Sequence, residues 1–211
     1  MKKDKTFLYF IITIFIQIIT LIVLLDKQWM QEITQEEVTK MDRLYSESTT
    51  NDVIVRGNDW YMKYIVDTSI EHHLYFALLP EEYLRLGEIP DDKKATWLFR
   101  TTEGRINAFL EQVRFSFIRL ASMCVWLDMV GLMIIGFLIT AYILRQKKKL
   151  TYDYTSPLRH EYSKRIIIYI PLITWLAFWF PLAVDPIVYP IFGFIVAACF
   201  GLFLSNSAKR V

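Results

Sequence analysis

The chain has 211 residues, 54% of them apolar and 16% aromatic, and a formal net charge of +2. The apolar residues fall into long uncharged runs, which excludes an ordinary soluble domain and marks a bilayer-spanning chain. The two cysteines, Cys124 and Cys199, lie inside apolar stretches, so no disulfide framework is implied.

Residues 1–25 read as a short cytoplasmic segment and a signal anchor. Lys2, Lys3 and Lys5 precede "FLYFIITIFIQIITLIVLL", nineteen residues without a charge. At about 1.5 Å per residue that run crosses a hydrocarbon core of roughly 30 Å. It ends in "LLDKQWM", without the small-residue site that a cleaved signal peptide carries.

Residues 26–119 read as a helical extracytoplasmic segment. Trp29, Ile33, Val38, Met41, Leu44 and Tyr45 recur at helical spacing with charges between them. Asn58-Asp59 predicts the cap of a second helix that runs to just before Pro80. Gly87 and Pro90 punctuate a short helix and turn, and a further long helix starts near Asp91-Asp92. It feeds through Phe109, Val113 and Phe117 into the next span, weakened at Gly104.

Residues 120–144 form the second expected span, with Trp126 at the level of an aromatic belt, and 145–165 form a basic loop. Residues 166–211 hold a transmembrane hairpin and the C-terminus. The third run is 166–184 and the fourth 187–204, separated only by Asp185 and Pro186, a tight turn at the bilayer surface. Runs of nineteen and eighteen residues favour full crossing over a re-entrant hairpin.

Charge orients the chain. Segments 1–6, 145–165 and 205–211 hold twelve Lys/Arg against three acids, whereas 26–119 holds twelve against seventeen. Positive residues stay cytoplasmic, so both termini and the 145–165 loop face the cytoplasm and 26–119 lies outside, in the periplasm of a Gram-negative cell. The expected fold is all-α, with four transmembrane helices and a helical extracytoplasmic segment between the first two.

Little in the sequence suggests chemistry. His72-His73 are neighbours, about 100° apart on a helix, not the i, i+4 pair of a helical zinc site. No phosphate-binding loop, nucleophile elbow or CxxC pair occurs, and no metal or cofactor is implied. Asp128 is the one acid within a span, which raises the alternative of a small channel, transporter or gating element. A membrane enzyme acting on lipid or peptidoglycan would instead make His72 or His160 indispensable. Gly193, Ala197, Gly201 and Ser205 recur every four residues and set a small-residue strip for helix packing. Lys147, Lys148, Lys149, Arg159, Lys164 and Arg165 hold the basic loop in the cytoplasm and are placed to meet anionic lipid, while direct nucleic-acid binding is not expected.

Tyr162-Ser163-Lys164-Arg165, Pro171, Trp175 with its aromatic neighbours, "FPLAVDP" and the closing "SNSAKR" together resemble the integrating-conjugative-element membrane protein family. That resemblance covers about residues 156–211 firmly and the rest loosely. Ser163 departs from the family's small apolar residue, and His160 stands one position from its histidine. The resemblance implies a non-enzymatic inner-membrane accessory subunit of a conjugative type IV secretion or coupling complex. It further implies that the coupling ATPase or another secretion subunit is the partner. It carries no catalytic residue and leaves homo-oligomerisation open.

Overall fold

The computed structural model describes residues 8, 11–17, 19, 27–89, 92–151 and 157–205. Much of the first apolar run, the 152–156 stretch of the basic loop and the C-terminus from 206 fall outside the described residues. Among those described, the chain is helical and forms no strand. They divide into two compact units. One comprises the residues up to Ala121 together with Phe178–Val184, and the other Ser122–Ala177 together with those from Asp185 onward.

The first unit is built on α1 (Lys27–Leu44), α2 (Glu47–Tyr61), a π-helical turn (Met62–Val66), α3 (Ile70–Leu78), α4 (Glu81–Leu86) and most of α5 (Lys93–Val125). In α1 the buried stripe is Met30, Ile33, Glu37 and Met41, spaced three, four and four residues apart. Ile33 and Met41 belong to the apolar face anticipated from periodicity, but Trp29 and Leu44 are exposed and a carboxylate takes a core position. Ser46 caps α2 by accepting the Thr49 N–H. The anticipated cap at Asn58-Asp59 is not formed: both residues lie inside α2, because Ser46 opens that helix twelve residues before Asn58. The helix is instead interrupted after the π-helical turn, where Ser69 adopts a left-handed conformation with φ 58°. Asp92 Oδ1 accepts the Lys94 and Ala95 N–H groups at 3.0 Å, which starts α5 where the acidic pair is read to start it. Gly104 lies within that helix.

α5 has 33 residues, which makes it roughly 50 Å long. Both cores of the first unit lean on it. Met30, Ile33, Met41 and Val53 pack with Ala108, Phe115, Ile118 and Ala121. Leu79 and Tyr83 pack with Ile106 and Leu110. α2 crosses closely at Gly57, where a Cβ would lie 2.6 Å from the Ile118 Cα.

The second unit holds α6 (Leu127–Thr151), α7 (Pro157–Trp179) over nearly all its length and α8 (Val188–Ser205). Among the described residues two stretches, Leu127–Lys147 and Val188–Ser205, are long and apolar enough to cross a membrane. α6 and α8 pack along one another. A Cβ on Gly193 would lie 2.5 Å from Val130 Cγ2, and one on Gly201 would lie 3.4 Å from Phe137 Cβ. The partner number rises along both helices, so α6 and α8 run parallel. The third run departs from expectation. Its helix ends at Trp179, five residues before Val184, and residues 180–185 are irregular. The turn then falls at Pro186-Ile187, with the Ile187 N–H on Asp185 Oδ1. Pro181 lacks a backbone donor, and the Leu182 N–H bonds to Phe180 O in a three-residue turn around it.

Gly57 and Gly104 separate two effects of the same substitution. Alanine within a helix gains about 0.5–1 kcal/mol over glycine, whereas forcing atoms into a packed contact costs about 1–3 kcal/mol. At Gly57 the obstructing atoms include the Ile118 backbone, so the clash wins, while at Gly104 nothing lies within 4 Å. Gly57→Ala should therefore lower the thermal midpoint of the helical circular-dichroism signal in detergent, and Gly104→Ala should raise it. Equal shifts for the two would contradict the close α2–α5 crossing.

Candidate functional site

The most unusual chemistry in the first unit is a buried ion pair. Glu37 of α1 and Arg119 of α5 are 0% and 1% exposed at the side chain, with Arg119 Nη2 2.8 Å from Glu37 Oε2. Two isolated charges in such surroundings would be strongly unfavourable, and their pairing alone seldom offsets the lost hydration. The remaining hydrogen-bonding capacity of both groups is used on one piece of backbone.

A guanidinium carries five N–H donors in a planar fork. Arg119 Nε donates to Glu37 at 3.1 Å. Nη1 donates to Phe178 O at 2.9 Å and to Phe180 O at 2.8 Å. Nη2 donates to Glu37 and to Leu182 O. Glu37 Oε2 in turn accepts the Val184 N–H at 2.8 Å. The ion pair thus binds alternate residues 178, 180, 182 and 184, with three carbonyls on the cation and one amide on the anion. Backbone polar groups that leave a helix need such partners when water is absent. Phe180 and Leu182 meanwhile turn their side chains outward and are exposed.

The surroundings reinforce this grip. The Arg119 guanidinium lies 4.8 Å from the Phe115 ring centroid, a cation–π distance. Lys40, paired with Glu36 at 2.7 Å, donates its Nζ to Ala183 O at 2.9 Å. Trp179 stacks on Phe109 with ring centroids 6.2 Å apart. Burial pushes the Glu37 carboxyl above the usual carboxylate range, against the pull of Arg119, the Val184 N–H and Lys40.

Neither Glu37 nor Arg119 is among the residues singled out from sequence. A signal was present for each. Glu37 occupies the core stripe of α1, and Arg119 is a lone cation in the apolar stretch from Phe115 to Trp126.

The residues that were singled out lie elsewhere. Gly193, Ala197, Gly201 and Ser205 are all buried along α8, with Gly193 and Gly201 against α6. Asp128 is exposed in the first turn of α6, where a helix N-terminus favours a carboxylate, and it forms no ion pair among the described residues. Lys147 is exposed near the end of α6. Lys148 and Lys149 continue that helix and Arg159 and Lys164 lie in α7, with side chains outside the described set. Arg165 is exposed and pairs with Glu161 at 3.2 Å. His72 stacks on Phe76 and His73 Nδ1 lies 2.6 Å from Ser69 O, while the His160 side chain is outside the described set. No group of three metal-ligating side chains occurs among the described residues.

Residues 26–210 match the protein family described as IncC plasmid conjugative DNA transfer protein DtrJ-like. No curated protein and no solved structure matches the chain. Conjugative transfer is common to this family and to the integrating-element family that the C-terminal motifs resemble. The match therefore supports the broader half of that resemblance.

Replacement of a buried ion pair by apolar side chains is often neutral or stabilising. That outcome is not expected here, because Leu182 O would lose its charged donor and the Val184 N–H its acceptor, at about 1–3 kcal/mol for each one left unsatisfied, while Phe178 O and Phe180 O would keep only the Ser116 hydroxyl and the Leu182 N–H. Glu37→Met/Arg119→Met should remain destabilised, and Arg119→Lys, with three donors for five acceptor contacts, should also fail to restore the wild-type midpoint. Both variants should open a new proteolytic cut within residues 180–184. Wild-type resistance to protease in both would refute the grip described above.

Proposed function

Because this chain belongs to the DtrJ-like family of IncC plasmid conjugative DNA transfer proteins, we propose that it is a non-enzymatic, multi-pass inner-membrane subunit of the transfer apparatus. It docks through its membrane helices on a coupling ATPase or another type IV secretion subunit, with both termini in the cytoplasm.

The observation that carries the membrane topology is the parallel packing of α6 and α8. Two parallel helices that both cross a bilayer require the chain to return between them, and α7 is the described helix in that interval. The apolar part of α7, residues 166–179, spans only about 21 Å. Its return is completed by the irregular backbone of 180–184, and the Glu37–Arg119 pair supplies the hydrogen-bond partners there. The same contacts hold 178–184 against Glu37 of α1 and Arg119 of α5, and the acidic balance of 26–119 favours the outer face for that segment. Together with the uncharged run 7–25 as a first crossing, these features support a reading of four spans. Exposed apolar side chains along α6, including Leu132, Ile135, Ile139 and Ile143, are suited to lipid or to a partner's helices.

Copurification from gently solubilised donor membranes provides the test. The chain should emerge with a coupling ATPase or a secretion subunit, and its deletion should lower transfer frequency. Gly193→Ile should damage assembly, since Val130 already stands 2.5 Å from a Cβ at that position. Asp128→Asn should leave transfer intact. A protein that purifies alone and is dispensable for transfer sinks the proposal, and loss of transfer with Asp128→Asn at normal protein levels favours the gating alternative.

A further inference from the structure

α5 carries a second, polar stripe: Glu103, Asn107, Glu111 and Arg114, spaced four, four and three residues apart. Side chains from the preceding helices engage it along its length. Tyr83 Oη donates to Glu103 at 2.8 Å and Tyr75 Oη to Asn107 Oδ1 at 2.5 Å. Arg114 Nε donates to Asn58 Oδ1 at 2.8 Å, and its Nη1 lies 3.5 Å from Glu111. At the π-helical turn this stripe borders an open cleft of about 470 Å³. Tyr61, Glu71, Glu111 and Arg114, with two asparagines, form its polar wall, and Met62, Val66 and Leu110 its apolar wall.

The charge in this cleft is unbalanced. Arg114 is held at the rim by Asn58 and neutralises Glu111. Glu71 accepts a hydrogen bond from Tyr61 at 3.3 Å and forms no ion pair among the described residues. The Tyr61 phenol is pushed up to about 12, by burial first and then by Glu71 and Glu111, so the site disfavours a further negative charge.

The backbone around the cleft is also irregular. The Asp67 N–H bonds to Met62 O, the i→i+5 contact of a π-helix, and Ser69 takes a positive φ. Single π-turns are seen frequently at functional sites, and a left-handed non-glycine residue costs on the order of 1–3 kcal/mol. One effect of these departures is geometric: Met62 and Val66 line the cleft together with Tyr61 and Glu71, which flank the distortion.

We propose that this cleft binds an alkylammonium or guanidinium group. Glu71 takes the cation, beside the Glu111–Arg114 pair, and Met62, Val66 and Leu110 pack on its methylene stem. A carboxylate facing apolar lining at the mouth of an open cleft suits a long cationic side chain, which buries its stem and keeps its charge at a polar rim. Two sources share this chemistry: a free polyamine, and a lysine or arginine side chain presented by another protein. The site is independent of how the membrane helices dock, so isolated protein suffices to test it.

Full-length protein in detergent is titrated with spermidine, N-acetyl-lysinamide and N-acetyl-argininamide, followed by calorimetry at low and high salt. Saturable binding that weakens with salt is expected. Glu71→Gln should reduce affinity about tenfold or more, the magnitude of one charge-assisted hydrogen bond. Val66→Phe, which fills the apolar wall without touching a carboxylate, should do the same while thermal unfolding verifies folding of both variants. Saturation by spermidine alone upholds the site and assigns it to a free polyamine. Saturation by the capped amino acids upholds it and assigns it to a partner's side chain. Absence of saturable binding by all three, or binding unchanged in both folded variants, overturns the proposal.

Discussion

The fold of the first unit depends on one buried ion pair and on what it does with its spare hydrogen-bonding capacity. Glu37 and Arg119 come from helices far apart in sequence, and both are almost wholly withdrawn from solvent. Desolvation of two charges is unfavourable by several kcal/mol per ion, and the mutual attraction of the pair does not by itself make such a site useful. Its use lies in the backbone it holds. The guanidinium satisfies three carbonyls and the carboxylate one amide where the chain leaves the last turn of α7 and runs on as irregular backbone. A mobile loop at that place would carry unpaired polar groups, and an extended helix would leave Pro181 without a donor for its turn.

This arrangement links the α5 helix to the course of the chain. The segment between α7 and α8 belongs to the same compact unit as α1 and α5, although the helices on either side of it belong to the other. The chain therefore visits the first unit a second time for seven residues, from Phe178 to Val184, and returns. The parallel α6–α8 pair adds a second constraint. Gly193 and Gly201 bring the helices together at Val130 and Phe137, where a larger residue has no room or little room.

The polar stripe on α5 shows a different use of buried chemistry. Tyrosines and amides reach it from short helices that have modest apolar faces, and each contact is a neutral or charge-assisted hydrogen bond at the edge of the core. Small helical segments bury limited apolar area, so specific polar contacts set their register where packing alone would permit sliding. The cleft at the π-helical turn lies in the same stripe, with a carboxylate left facing it.

Sequence periodicity and charge by themselves determined that the chain is helical, that α6 and α8 are apolar enough to cross a bilayer, and that α5 starts near Asp91-Asp92. These are local properties, set by spacing of three to four residues, by capping side chains and by long uncharged runs. The motifs at the C-terminal end also pointed to conjugation, which the family match over residues 26–210 supports. Tertiary structure alone decided that the third run stops at Trp179, that Ser46 rather than Asn58 opens α2, and that Glu37 finds Arg119. A carboxylate on an apolar stripe and a lone arginine 82 residues later are each visible in sequence, but their pairing is not. It depends on which faces of α1 and α5 meet, and that is settled by packing of Met30, Ile33 and Met41 against Phe115, Ile118 and Ala121. Hydrophobic spacing specifies a face without specifying its partner, and only the assembled helices select one.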